Sequence, residues 1–259
     1  NVDFPVFGFP IIPNITLLSF SPKLNIDYYY YVLNNKLYSI RLLVIMIKGI
    51  ILDLDGTLLD NNSYYRKFEE IYPGVIRSLL EEDENTINNK INYVHNNSVY
   101  GFTKSIREIG INSEFFFMKM RDELPIRTLI RPDPKLNIIL KDLTELDYSI
   151  VILTNTGKYL VYAILDSLGI DLSIFKSIIT SDDTGLKPTP EPYVYALSKL
   201  GLSAHESVYV GDRYDIEIKP AIDLGIKTIF ITENDKKDAD YTIKDIYEIK
   251  EILKNIEGQ

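Results

Sequence analysis

Two aspartates sit two residues apart at the end of an apolar run, in Asp53-Leu54-Asp55-Gly56-Thr57. The segment before them, Ile47-Lys48-Gly49-Ile50-Ile51-Leu52, is short, β-branched and continuous rather than alternating, which predicts a buried strand. Open α/β sheets bind ligands at the carboxyl ends of their strands. Paired carboxylates at that place offer one group as nucleophile and one as proton donor, with oxygen atoms left for a hard cation. Gly56 follows where the chain must turn sharply and come close to a ligand. A solvated acidic turn has the same composition, so the motif needs support from elsewhere in the chain.

Three further segments supply it. Thr154-Asn155-Thr156-Gly157 follows a second apolar run, and a hydroxyl with free N–H groups at the start of a helix makes an anion site. Simple N-capping by Thr154 is the plainer reading of that segment. Lys187 stands in Gly185-Leu186-Lys187-Pro188-Thr189-Pro190-Glu191-Pro192, where three prolines and a glycine restrict the loop and hold its one cation in place. Gly211-Asp212-Arg213-Tyr214-Asp215-Ile216-Glu217 follows another apolar run and carries three carboxylates, which would equally suit a helix start. Together the segments hold a nucleophile, an acid/base, an anion cradle, a charge neutraliser and ligands for a divalent cation. That is the equipment of phosphoryl transfer.

The elements that must position these groups alternate. Helix is expected over Asp133–Leu146, Lys158–Leu168, Glu191–Leu200, a stretch ending at Leu224, and Lys244–Ile256. Strands are expected at Ser149–Leu153, Ser177–Thr180, Ser207–Val210 and Thr228–Ile231. This order predicts right-handed βαβ units and a parallel sheet, a Rossmann-like three-layer α/β core. Residues 62–131 read as helices alone: Ser63–Leu80, interrupted at Pro73, then Tyr100–Ile109, then Ser113–Asp122 with Ser113 as N-cap. Glu81–Glu84 reads as a solvated loop and Phe115–Phe117 as packing. The expected organisation is an extension at 1–45, a core from 46–61 and 132–259, and a helical cap at 62–131.

Composition narrows the possibilities. Forty-six per cent hydrophobic and 25% charged residues in 259 are ordinary globular material. With no cysteine there is no thiolate metal site or thiol nucleophile, and two histidines, His95 and His205, exclude a multi-histidine centre. A net charge of −9 argues against nucleic acid as partner. The apolar span 37–54 is broken by Arg41, Lys48, Gly49 and Asp53, which argues against a membrane helix. No basic segment precedes a compact apolar one, so the expected location is cytoplasmic. Residues 1–45 hold Pro5, Pro10, Pro13, Pro22 and the run Tyr28–Tyr31, and end just before Met46. They read as an extension outside the fold.

Over 47–256 the chain resembles the haloacid dehalogenase superfamily, whose four motifs match Asp53-Leu54-Asp55-Gly56-Thr57, Thr154, Lys187, and Gly211-Asp212 with Glu217. The resemblance implies a Rossmann-like core with a helical cap. It implies that Asp53 forms an aspartyl-phosphate and that Asp55 protonates the leaving oxygen and then activates water. Thr154 and the amide of Asn155 would hold phosphate, with Lys187 offsetting its charge. Mg²⁺ would be held by Asp53, the Asp55 carbonyl, Asp212 and Glu217, with Asp215 as the alternative to Glu217. Asp55 favours phosphate esters over carbon–halogen bonds, since the dehalogenases lack an Asp there. The implied function is a phosphatase for a small phosphomonoester, a nucleotide or a sugar phosphate. A dehalogenase, a phosphomutase or a phosphate-binding module without turnover are the alternatives. The stretches 100–125 and 131–134 look similar to the pyrimidine 5′-nucleotidase-like branch. His95 and Arg107 are the expected specificity residues of the cap.

Overall fold

The computed structural model describes residues 18–19, 26–33, 36–43, 46–234 and 238–257. The chain divides into two compact units, Asn1–Met46 and Ile47–Gln259. In the first, β1 (Leu18–Ser19), β2 (Ile26–Leu33) and β3 (Lys36–Leu43) form an antiparallel sheet in that order, with Leu33 opposite Lys36 and Ile26 opposite Leu43. The tyrosine run lies in β2, where aromatic residues are favoured. Pro5, Pro10, Pro13 and Pro22 lie outside the described residues.

The second unit begins with β4 (Gly49–Leu52). A run of helices follows: α1 (Asn62–Leu79), α2 (Glu84–Asn97), α3 (Phe102–Glu108), α4 (Ser113–Glu123) and α5 (Ile126–Leu129). Then come α6 (Pro134–Glu145), β5 (Ser149–Leu153), α7 (Lys158–Leu168), β6 (Phe175–Ile179) and α8 (Pro190–Leu200). The chain continues through β7 (Ser207–Gly211), α9 (Lys219–Asp223), β8 (Lys227–Ile231), β9 (Tyr241–Ile243) and α10 (Ile249–Glu257). The strands make one sheet in the order β6-β5-β4-β7-β8-β9, with every pair parallel.

Alternation along each strand builds the layers. Ile50, Leu52, Val208 and Val210 join one core with Leu136 and Leu140 of α6, Leu160 and Ile164 of α7, and Leu253 of α10. Ile51, Val151 and Tyr209 point the other way, onto Tyr193, Ala196 and Leu200 of α8. Both faces of β4 and β7 are covered, so all their residues are buried and their sequences read as unbroken apolar runs. The strand order reverses about β4, whose neighbours are β5 on one side and β7 on the other. Such a switch point opens a crevice at the carboxyl ends of the strands.

Several local expectations are corrected. Helix α1 runs unbroken through Pro73. The carbonyl that Pro73 leaves without its helical donor belongs to the exposed Glu69, where water can take the place of the lost N–H. The acidic loop is shorter than expected, because Asp83 caps α2 by accepting from the N–H groups of Asn85 and Thr86. Six asparagines hide this helix in the sequence, although Ile87, Ile91 and Val94 have helical spacing. Asn112, not Ser113, caps α4 by accepting from the N–H of Phe115. Phe116 and Phe117 are core, whereas Phe115 is 57% exposed.

Candidate active site

Four loops at the carboxyl edge of the sheet converge on one cavity of about 360 Å³. Asp53 and Asp55 leave β4, Thr154, Asn155 and Thr156 leave β5, Lys187 follows β6, and Arg213 and Glu217 follow β7. Residues Tyr64, Tyr65 and Phe68 of α1, Phe102 and Thr103 of α3, and Phe117 of α4 form the opposite wall.

The turn after β4 is built by its glycine. Gly56 has φ of 81°, and a β-carbon there would collide with the Asp212 carboxylate. Its N–H donates to the Leu59 carbonyl at 2.7 Å and to the Tyr65 hydroxyl at 2.8 Å, so α1 grips the turn that carries Asp55. Thr57 and Leu59 complete the turn, and Leu54 is buried beneath it.

Lys187 is the electrostatic centre. Its ammonium, on a side chain 2% exposed, donates to Asp53 Oδ1 at 2.6 Å, Glu217 Oε1 at 2.7 Å and the Tyr209 hydroxyl at 2.9 Å. All three donors are thereby used. Burial would lower the Lys187 pKa, but Asp53 and Glu217 together hold it above the ordinary lysine value. The Asn155 side chain fixes the loop by accepting from the Lys187 N–H at 2.9 Å and donating to the Lys187 carbonyl at 3.0 Å. Burial, then the nearby Glu217 carboxylate, pushes Asp53 well up, and Lys187 opposes the shift.

Asp55 is pushed up as well, first by burial; the Thr156 hydroxyl, which donates to Asp55 Oδ2 at 2.7 Å, works against that shift. A carboxyl group that keeps its proton longer than usual is suited to act as a general acid. The Thr154 hydroxyl accepts from the Thr156 N–H at 3.1 Å. The N–H of Asn155 is spent on no acceptor among the described residues, which leaves it free for an anion.

Asp53, Asp212 and Glu217 offer carboxylate oxygens that all lie within 4.8 Å of one another. Asp212 Oδ1 is buried and has no partner among the described residues, and burial, then Glu217, raises the Asp212 pKa to about 7. An orphaned acceptor among mutually repelling carboxylates fits a hard divalent cation. Glu217 contributes differently from the other two. Its Oε2 accepts from the N–H groups of Asp212 at 3.1 Å and Arg213 at 3.2 Å, and its Oε1 holds Lys187. A π-helical turn over Tyr214–Ile218 turns Glu217 back in this way, in place of the regular helix expected there. Asp215, in the same turn, is exposed and stands outside the cluster.

Neither expected specificity residue lines the cavity. The Arg107 guanidinium donates to the Ser181 carbonyl at 2.6 Å and to Ser113 Oγ at 3.0 Å, tying α3 to the core. His95 is exposed, and its Nδ1 lies 3.4 Å from the Tyr72 hydroxyl. Thr156, Tyr65, Tyr209 and Arg213 take part without having been singled out from the sequence. Thr156 had a visible signal, a second hydroxyl two residues after Thr154. Tyr65 and Tyr209 had none, since each lies inside an element whose pattern reads as packing.

Comparison with known proteins agrees with this arrangement. The haloacid dehalogenase-like hydrolase family matches residues 50–231. A glyceraldehyde 3-phosphate phosphatase of Methanocaldococcus jannaschii is 32% identical over 236 residues, covering 82% of this chain and 99% of its own. Pyrophosphatase PpaX of Oceanobacillus iheyensis is 27% identical over 65% of this chain and 76% of its own. The fold is shared with a haloacid dehalogenase-type phosphatase of Thermococcus onnurineus, at a TM-score of 0.61 and 21% identity over 80% of this chain and 98% of that one. From its strand order to its paired aspartates, the chain belongs to the haloacid dehalogenase-like hydrolases.

Proposed function

We propose that this protein is a Mg²⁺-dependent phosphatase for a small phosphomonoester, working through an aspartyl-phosphate on Asp53. The observation that carries the reading is the shared cavity of Asp53, Asp55, Thr154 and Lys187, closed on its far side by helices. Lys187 holds Asp53 Oδ1, while Oδ2 has no partner among the described residues and is the oxygen that attacks phosphorus. As that bond forms, the phosphorus–oxygen ester bond breaks and the leaving oxygen takes the proton of Asp55. Asp55, now a carboxylate, removes a proton from water, and the resulting oxygen attacks the phosphorus. Inorganic phosphate leaves and Asp53 is restored. Thr154 and the N–H of Asn155 hold the phosphoryl oxygens through both displacements.

Asp53, the Asp55 carbonyl and Asp212 would hold Mg²⁺, with Glu217 orienting the Asp212 loop. The ion would neutralise charge on the phosphoryl oxygens. Helices within 62–131 act as the cap that excludes water and contacts the leaving group. Cation demand and a wall of tyrosine and phenylalanine suit a compact metabolite, with neither nucleic acid nor membrane as partner. The relatives named as glyceraldehyde 3-phosphate phosphatases support a triose phosphate as substrate. Release of inorganic phosphate from glyceraldehyde 3-phosphate with Mg²⁺ tests the reading. Asp53→Asn, which removes the attacking charge, is expected to lose more than ~10³-fold in kcat. Near-normal turnover by that variant would place the chemistry elsewhere.

A further inference from the structure

We propose that Arg213 is the residue that selects the leaving group, by hydrogen bonding an uncharged oxygen, a carbonyl or hydroxyl, of a small phosphate ester. This rests on the phosphatase reading and names the substrate class of the same cavity. Arg213 directly follows Asp212, and its N–H is pinned by Glu217 Oε2 at 3.2 Å, so its origin is fixed to the core. Its guanidinium crosses to the helical insertion and donates to the Val99 carbonyl. Arg213 and Val99 line the cavity together with Asp55, the acid proposed to protonate the leaving oxygen. The positive charge is near enough to lower the pKa of both Asp55 and Asp212.

Donor supply makes Arg213 the candidate. The other cation of the lining, Lys187, has its three donors committed. Arginine has five N–H donors in a rigid fork, and those of Arg213 beyond the Val99 bond have no acceptor among the described residues. The insertion's side of the cavity carries the rings of Tyr64, Phe68, Phe102 and Phe117 beside the polar Glu69, Ser98 and Thr103. An oxygen of a bound substrate is an acceptor that can take the place of water on the fork. The remaining charged lining groups are the acids Asp53, Asp55, Glu69 and Glu217, which disfavour a second anionic group on the substrate. Since one guanidinium holds both Val99 and the substrate oxygen, binding the right ester also steadies the insertion over it.

The test compares the wild type with Arg213→Met and Arg213→Lys in the full chain with Mg²⁺. Glyceraldehyde 3-phosphate carries the oxygens, p-nitrophenyl phosphate offers an aromatic ester instead, and inorganic phosphate has no leaving group at all. Arg213→Met is expected to lower kcat/KM for glyceraldehyde 3-phosphate at least ~tenfold more than for p-nitrophenyl phosphate, mainly through KM. The inhibition constant of inorganic phosphate should stay within about threefold, and Arg213→Lys should fall between, because lysine keeps the charge without the fork. Equal losses on both esters would show that Arg213 serves the insertion or the chemistry in general, and would overturn the proposal. So would unchanged kinetics in both variants, or phosphate inhibition lost in parallel. A wild type that releases phosphate from neither ester would refute the phosphatase reading itself.

Discussion

Replacing Lys187 by methionine should destabilise the fold as well as the chemistry. Methionine keeps most of the side-chain length and removes the charge. In the native site the Lys187 ammonium sits 2.6 Å from Asp53 and 2.7 Å from Glu217, and those side chains are 4% and 3% exposed. Without it, two buried carboxylates face each other with Asp212 alongside and no cation among them. Breaking a buried ion pair by removing one partner costs about 3–5 kcal/mol, because the remaining charge stays desolvated. The unit from 47 to 259 is of a size for which 1 kcal/mol shifts Tm by roughly 2–4 °C, so a drop of about 6–20 °C is expected in EDTA.

Mg²⁺ should return part of this loss. A ligand that binds the native state stabilises it by about 2.7 kcal/mol at a hundredfold excess over its Kd. The variant's cluster has lost its internal counter-charge, so its gain from the cation should exceed that of the wild type. Thermal melts followed by circular dichroism, with EDTA and with Mg²⁺, give both comparisons. A variant melting within about 2 °C of the wild type in EDTA would refute the reasoning, since the carboxylates would then not depend on Lys187. A gap of the same size in both conditions would show that the cluster does not receive the cation.

Three other outcomes follow from the same geometry. Thr156→Val removes the hydroxyl that stabilises the charged form of Asp55, so the Asp55 pKa rises further and the alkaline limb of kcat/KM, which needs protonated Asp55, moves to higher pH; an unmoved limb would mean that another group is the acid. EDTA should abolish activity and Mg²⁺ restore it, with Asp212→Ala raising the Mg²⁺ requirement far more than Asp215→Ala; the reverse ranking would contradict the burial of one and the exposure of the other. A protein starting at Met46 should keep its phosphatase activity, because the cavity is built from the second unit alone; a large fall in kcat or Tm would show that residues 1–45 support it.

How far the site could be read from the chain depended on whether a residue's role was local. Asp53, Asp55 and Asp212 are each announced by an apolar strand that ends in a turn, Lys187 by the prolines that restrict its loop, and parallel strands bring such segments to one edge whatever the details. The alternating βαβ order was legible for the same reason, since fully buried strands leave unbroken apolar runs at Ile50–Leu52 and Ser207–Gly211. Roles that depend on a partner far along the chain left no such trace. Tyr209 alternates onto the α8 face like any core residue, and its value lies in a hydroxyl that meets Lys187, 22 positions earlier. Tyr65 reads as the apolar stripe of a helix, yet it accepts from Gly56 and donates to Leu59. Arg107 misled in the opposite direction: an arginine on a helical insertion suggests substrate, but its guanidinium turns onto the Ser181 carbonyl and does not line the cavity. Arg213 and Glu217 show why the fourth motif was the hardest to resolve. Three carboxylates in six residues look equivalent along a regular helix, and a π-turn, which no local propensity predicts, is what separates the buried Glu217 from the exposed Asp215. If Arg213 selects the leaving group as proposed, specificity is set by contacts between the core and the helical insertion, the ones least visible in the sequence.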